Sequence, residues 1–478
     1  MGTVTDLHSG GSEAYAGDKQ RRPRSWHPMV RSLCALGLAV LLFTALAPSR
    51  LLQELWQPCS HCVLIDAGSS GTRVHVFRFV PRRGGTPRVL SPPSVLKLEP
   101  GLSSFVEAPE RAAEQLGALL AFAKAQVPAG RVPSTPVVLL ATAGLRLLHP
   151  SEAEALLQAC RPTLTASAFL FRHEWAHVLE GAQEGAFAWV AANYASGTLT
   201  GDPRNTVGVL ELGGASAQVT FVPDVTPPQE HRLDVHISAG GGGSVSSTTA
   251  APRVLRYTLY THSFLGLGLD AAAQGLAVTS ATSQQACSSF EACRASAARA
   301  MHLGSVPCAH ARCVGADSAY APPLVGRFLA LENFAHTARR LGLPPHATLA
   351  QLGAAGAAAC QAAVDDVTED ERLCFAAAYV FAFLHDGFGV ALQDASTLRF
   401  SDSAGDSHTP VDWALGALVA QYAALAPPPP LWSHHRVLAL MALTAALLPA
   451  LTWAHGAREE LGVSNAAGFK RSVSNLGL

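Results

Sequence analysis

Apolar positions fall into two long runs near the ends of the chain and, between them, short runs with strand or helix spacing. Val63-Leu64-Ile65 ends in a carboxylate, Asp66. Small residues follow from Ala67 to Thr72, and Arg73 to Phe79 returns with polar and apolar residues loosely alternating. That order predicts a β-hairpin closed by Gly, Ser and Thr. It recurs at Val207 to Phe221, where an apolar strand ends in Glu211, passes through Gly213, Gly214 and Ser216, and returns. Between the hairpins, Pro109–Ala125 carries Ala and Leu at helical spacing. Thr135–Leu140 reads as a buried strand running into the turn Ala141–Arg146 and a helix at Ser151–Cys160. An apolar helix is expected over Ala186–Tyr194, a strand and turn over Arg256–Leu269, and helices over Phe375–Phe383 and from Trp413 onward.

The run Met29–Pro48 is long enough to span a bilayer. Lys19, Arg21, Arg22 and Arg24 precede it and Arg31 lies at its edge, which orients the N-terminus toward the cytoplasm. The polar stretch ahead is long for a cleaved leader, so the run reads as a signal anchor. Val437–Trp453 reads as a second, shorter span, kinked at Pro449. The expected order is a disordered cytoplasmic tail (1–28), a transmembrane anchor (29–48), a globular part, a spacer (427–436), a second transmembrane helix (437–453) and a cytoplasmic tail (454–478). The globular part then lies in a lumen or outside the cell, with Golgi, endoplasmic reticulum and cell surface all open. Oligomerisation through the spans is compatible with this layout.

Composition adds less. Charged residues are 14% of the 478 and the formal net charge is −1, which excludes the basic footprint of a nucleic-acid binder. The ten cysteines suit an oxidising compartment and disulfides. Cys360 and Cys374 form one close pair. Cys287, Cys293, Cys308 and Cys313 form a cluster whose connectivity is open. Cys59 and Cys62 either pair or stay free. Zinc at the four-cysteine cluster is disfavoured by its loose spacing.

The small residues of the first hairpin turn, with the hydroxyls of Ser69, Ser70 and Thr72, suit a phosphate chain. Asp66 at the strand end suits a divalent ion that keeps several waters. The second hairpin offers Glu211, Gly213, Gly214 and Ser216 in the same order, as two lobes clasping one phosphate tail would require. Glu184, between Gly181 and Gly185 at the mouth of a helix, is a candidate general base. It is equally a helix-start carboxylate favoured by the macrodipole. His173-Glu174-Trp175-Ala176-His177 matches the H-E-x-x-H zinc-peptidase pattern, which needs both histidines on one helix face and a third ligand downstream. No such extension follows, and the flanking residues read equally well as a strand.

Taken together, the motifs resemble the apyrases, the nucleoside triphosphate diphosphohydrolases, with wording nearest the plant-type members. They are D-A-G-S-S-G-T-R at Asp66–Arg73, P-G-L-S-S-F at Pro100–Phe105, A-T-A-G-L-R-L-L at Ala141–Leu148, Q-E-G-A-F-A-W-V at Gln183–Val190 and E-L-G-G-A-S-A-Q-V-T-F at Glu211–Phe221. H-D-G-F-G at His385–Gly389 and W-A-L-G-A at Trp413–Ala417 are weaker members of the set. The resemblance implies a two-lobed actin-like (ribonuclease-H-like) α/β fold with a nucleotide cleft between the lobes. Lobe I would cover 49–173, lobe II 174–394, and 395–426 would return to lobe I. It implies hydrolysis of nucleoside tri- and diphosphates with Ca2+ or Mg2+.

By the same resemblance, Ser69, Ser70, Gly71, Thr72 and Arg73 hold phosphate from one lobe, and Gly213, Gly214, Ala215 and Ser216 from the other. Glu184 is the base, Ser216 and Gln218 orient the water, Thr142 positions the reacting groups, and Asp66 and Glu211 hold the metal through water. Much of the family has Asp where this chain has Glu211. The alternatives are a catalytically silent nucleotide-binding protein of the same fold, and the zinc peptidase.

Overall fold

Strand β1 (Ser60–Ala67) is buried from Cys62 to Ala67. Both of its faces are covered, which is why its apolar run is unbroken rather than alternating. Cys62 and Leu64 point into one apolar cluster, Val63, Ile65 and Ala67 into another. The computed structural model that shows this describes residues 60–82, 85–239, 253–279, 289–362 and 370–425.

β1 pairs antiparallel with β2 (Thr72–Val80), with Asp66 opposite Arg73 and Ala67 opposite Thr72. β3 (Arg88–Val89) and β4 (Ser94–Leu98) both pair with β2. On the other side β5 (Val137–Ala141) and then β6 (Ala176–Val178) add parallel strands. The second sheet repeats this plan. β7 (Gly208–Leu212) pairs antiparallel with β8 (Ser216–Phe221), and β8 with β10 (Arg253–Leu265). β13 (Phe328–Glu332) and then β14 (Leu398–Phe400) add parallel strands beyond β7. β9 (Arg232–Ala239) closes the far edge against β10. Two short pairs stand apart from the large sheets, β11 (Cys313–Val314) with β12 (Ala319–Tyr320) and β15 (Ser403–Ala404) with β16 (Thr409–Pro410).

Helices cover the sheet faces. The first sheet carries α1 (Pro109–Gln126) and α3 (Pro150–Ala166) on its outer face, with the short α2 (Ala143–Arg146) at the tip of β5. α4 (Gly181–Ala195) and α10 (Trp413–Leu425) pack together between the two sheets, burying Trp189 and Trp413 in one cluster with Leu64, Phe77, Val209 and Leu329. The second sheet's outer face holds α5 (Leu269–Thr279), α6 (Phe290–Ala300), α7 (Asn333–Arg340), α8 (Leu349–Ala362) and α9 (Asp370–Phe381).

Several expectations shift. β6 belongs to the first sheet and β14 to the second. The chain therefore leaves the first sheet after Val178, not at 174, and the second after Phe400, not at 395. The helix expected to end at Phe383 passes at Ala382 into a π-helical turn, Ala382–Gly387, so H-D-G-F-G is packing apparatus. Its Asp386 accepts both guanidinium arms of Arg294 at 2.8 Å. His173–Trp175 is a 3-10 turn followed by β6, and His177 Nδ1 contacts the Glu174 carbonyl at 3.0 Å. The helical frame required for zinc is absent there, which overturns the peptidase reading.

Both expected spans, the spacer and tails, Cys34, Cys59 and Cys287 lie outside the described residues. No helix among the described residues is long and apolar enough to cross a membrane. Cys308–Cys313 and Cys360–Cys374 lie at disulfide distance, S–S 2.17 and 2.09 Å. Cys62 is a buried free thiol, pushed up to about 12 by burial.

The crossing of α4 and α10 rests on Gly416. A Cβ there would meet the Phe187 carbonyl oxygen at 1.7 Å. Gly416→Ala should therefore destabilise the protein by about 1–3 kcal/mol. Gly117→Ala on α1, where nothing lies within 4 Å, should stabilise it by about 0.5–1 kcal/mol. Urea unfolding of the two variants beside the parent checks both signs.

Candidate active site

Side chains two apart on a strand share a face. Leu64 and Val209 both lie in the cluster between the sheets, so Asp66 and Glu211, two residues further along β1 and β7, face the same middle layer. Thr142 follows Val138 and Leu140 from β5 in the same way, and its amide donates to the Ala67 carbonyl at 3.2 Å. Three strand tips from two sheets thus carry polar groups to one place.

The two hairpin turns meet there. A Cβ added to Gly214 would lie 3.0 Å from Ser69 Oγ, so the turn after β7 faces the turn after β1. Each turn is braced from behind. The carbonyls of Gly213, Gly214 and Ala215 accept from the amides of Leu269, Ala271 and Gly266. Behind the first turn, a Cβ on Gly101 would meet the Gly68 and Ser69 carbonyls at 2.4 Å, which is why P-G-L-S-S-F needs its glycine. Ser69 is partly exposed and Ser70 exposed, whereas Gly71 and Thr72 are buried. The buried Thr72 Oγ1 has no partner among the described residues.

Glu184 lies in the first turn of α4 and is buried. Its Oε2 is 2.8 Å from Arg146 Nη2 and 3.1 Å from Gln218 Nε2. Gln218 Nε2 also lies 2.8 Å from Ser216 Oγ and 3.2 Å from Ser263 Oγ. Arg146 spans the group, with Nη2 3.2 Å from Ser216 Oγ and Nη1 donating to the Leu179 carbonyl at 3.0 Å.

The electrostatics are those of crowded, buried carboxylates. Burial pushes Asp66 up to about 8 against the pull of Arg73, with Glu184, Glu332 and Asp412 adding to the rise. Arg73 Nη1 lies 3.3 Å from Asp66 Oδ2. Glu211 is raised by burial and by Glu332, Glu184, Asp412 and Asp66 in turn. Burial raises Glu184 as well, against Arg146 and Gln218. Asp66 Oδ1 and Glu211 Oε2 are buried with no hydrogen-bond partner among the described residues. Two orphaned carboxylate oxygens in a negative pocket fit an oxygen-ligated divalent cation such as Ca2+ or Mg2+.

The sequence-derived residues Asp66, Thr142, Glu184, Glu211, Ser216 and Gln218, together with both turns, lie in or beside this one cleft. Sequence reasoning passed over Arg146, Ser263, Glu332 and Asp412. Arg146 stood in a quoted motif, but its role depends on β6 and β8 coming together. Asp412 receives the Leu415 amide at 3.0 Å at the start of α10 and lies 3.3 Å from His75 Nδ1.

A two-sheet α/β molecule with facing glycine turns over buried carboxylates has the parts to handle a phosphate chain. Comparison with known proteins narrows this. Residues 53–287 and 276–427 match the GDA1/CD39 (nucleoside phosphatase) family, and the chain belongs to that family. It is a hydrolase of the nucleoside phosphatase class. "Probable apyrase 5" of Arabidopsis thaliana is 36% identical over 418 residues, 75% of this chain and 81% of that protein. "Nucleoside diphosphate phosphatase ENTPD5" of Homo sapiens is 40% identical over 210 residues, 44% of this chain and 47% of that one. A crystal structure of nucleoside triphosphate hydrolases from Neospora caninum shares the fold, with a TM-score of 0.55 at 17% identity over 83% of this chain and 98% of that one. The plant-type wording of the motifs is thus borne out.

Arg146→Lys keeps the charge beside Glu184 but loses the fork that also reaches Ser216 and Leu179. Phosphate release should fall by about 100-fold with the circular dichroism spectrum unchanged, in a steady-state assay on the purified variant.

Proposed function

We propose that this protein is a membrane-anchored apyrase that hydrolyses nucleoside tri- and diphosphates. The observation that carries the reading is the convergence of Asp66, Glu184 and Glu211 on one cleft walled by two facing glycine turns. The relatives named as apyrase and as nucleoside diphosphate phosphatase support the substrate class.

Ser69, Ser70, Gly71, Thr72 and Arg73 hold the phosphate chain from the first turn, and Gly213, Gly214, Ala215 and Ser216 from the second. Asp66 and Glu211 hold Ca2+ or Mg2+ through its waters. When bound, the ion neutralises charge on the phosphates and on these carboxylates. Ser216 and Gln218 orient a water against the terminal phosphorus, and Thr142 positions the reacting groups. Glu184, held through Oε2 by Arg146 and Gln218, takes the water's proton. The water oxygen bonds to phosphorus as the bond to the bridging oxygen breaks, releasing phosphate and a nucleotide one phosphate shorter. No covalent enzyme intermediate is needed, because positioning and charge neutralisation supply the rate.

The extra methylene of Glu211 relative to Asp is tolerated, since the carboxylate acts through water. The apolar runs Met29–Pro48 and Val437–Trp453 anchor the chain with both termini cytoplasmic and the catalytic part lumenal or extracellular. The cysteine pairs Cys308–Cys313 and Cys360–Cys374 support an oxidising compartment.

Two expected outcomes follow. Glu184→Gln should lower phosphate release from nucleoside di- and triphosphates by about 100- to 10,000-fold, read by a colorimetric phosphate assay, with nucleotide still bound in calorimetry. EDTA should abolish turnover of the parent, and Ca2+ or Mg2+ should restore it. No phosphate from any nucleotide with either metal, together with activity in Glu211→Asp, would show that Glu211 disables the site.

A further inference from the structure

We propose that Glu332 is a third carboxylate holding the divalent cation through its waters, an inference that rests on the cation-dependent reading above. Glu332 is the last residue of β13, whose register against β7 sets Leu331 opposite Glu211 and Glu332 opposite Leu212. Phe328 and Ala330 point into the outer cluster of the second sheet, and Leu329 and Leu331 into the middle layer. Strand alternation therefore assigns Glu332 to the outer face. Its φ of +53° breaks that alternation, in a region where residues other than glycine are strained.

Two neighbours hold the break in place. Asp402 Oδ1 accepts the Glu332 amide at 2.8 Å, and Asn333 Nδ2 donates to the Leu212 carbonyl at 2.9 Å. The result directs the carboxylate to the second glycine turn, where a Cβ on Gly213 would lie 3.5 Å from Glu332 Oε2. Asp66 Oδ1 and Glu211 Oε2 are buried and without partners among the described residues, Glu211 on the strand that pairs with that of Glu332. A shared cation offsets the like-charge repulsion that a third carboxylate adds here. At the equivalent register of the first sheet stands the uncharged Ala141, so the extra carboxylate is peculiar to one side.

The test uses metal-stripped full-length protein titrated with Ca2+ alone and with Mg2+ alone, by calorimetry and by thermal unfolding. Glu332→Gln should raise the dissociation constant about 10- to 100-fold, as should Glu211→Gln. In EDTA, Glu332→Gln and Glu332→Gly should both melt above the parent, the glycine variant further because it also relieves the strained backbone. The melting-temperature gain on adding Ca2+ should be smaller in both than in the parent. Affinity within twofold of the parent in Glu332→Gln, alongside weakened binding in Glu211→Gln, would overturn this assignment and leave the proposed function standing. Absence of saturable binding of either ion to the parent would overturn both.

Discussion

Everything in this molecule turns on keeping several carboxylates of like charge in one buried cleft. Asp66, Glu184 and Glu211 are buried, and each is raised above the usual carboxylate range by the loss of water. Arg73 and Arg146 supply positive charge but leave two carboxylate oxygens unanswered. Left to itself such a cluster would open or protonate. It stays closed because Asp66 and Glu211 stand near the ends of strands covered on both faces and Glu184 on a helix packed between the sheets. The energy of the cores is what holds the charges together, and a polyanion with its counter-ion is what such a pocket is suited to receive.

The two sheets repeat one plan. A hairpin, a third antiparallel strand and two parallel additions appear in each, in the same order. Equivalent places carry different chemistry. The first strand carries Asp66 on one side and Glu211 on the other, and the parallel strand beside it carries Ala141 and Glu332 at the matching register. Glu184 and Asp412 lie near the starts of the two crossing helices. The repeat builds a symmetric frame with two opposed turns, and the departures from symmetry set direction. One side supplies Glu184 and Arg146, the other Gln218 and Glu332.

Some motifs belong to the frame. Gly101 and Gly416 are needed where backbone approaches backbone, not where substrate would lie. The π-helical turn at Ala382–Gly387 packs the second sheet's outer layer. His173 and His177 show how a pattern of letters misleads. The zinc motif presumes a helix, and here a 3-10 turn gives way to a strand.

The amino-acid sequence by itself determined the two hairpins, the buried strand at β5, the apolar helix behind Glu184 and the chemical types at each turn. These depend on periodicity, small residues and strand-end carboxylates, which are local properties. Tertiary structure alone decided which of them share a cleft. Arg146 reaches Glu184 and Ser216 only because Leu179, just past β6, and Ser216, at the start of β8 in the other sheet, come within reach of one side chain. Glu332 departs from its strand's alternation only because Asp402, far along the chain, holds its amide. Such contacts are set by burying both faces of both sheets at once, and no short window of residues contains that constraint.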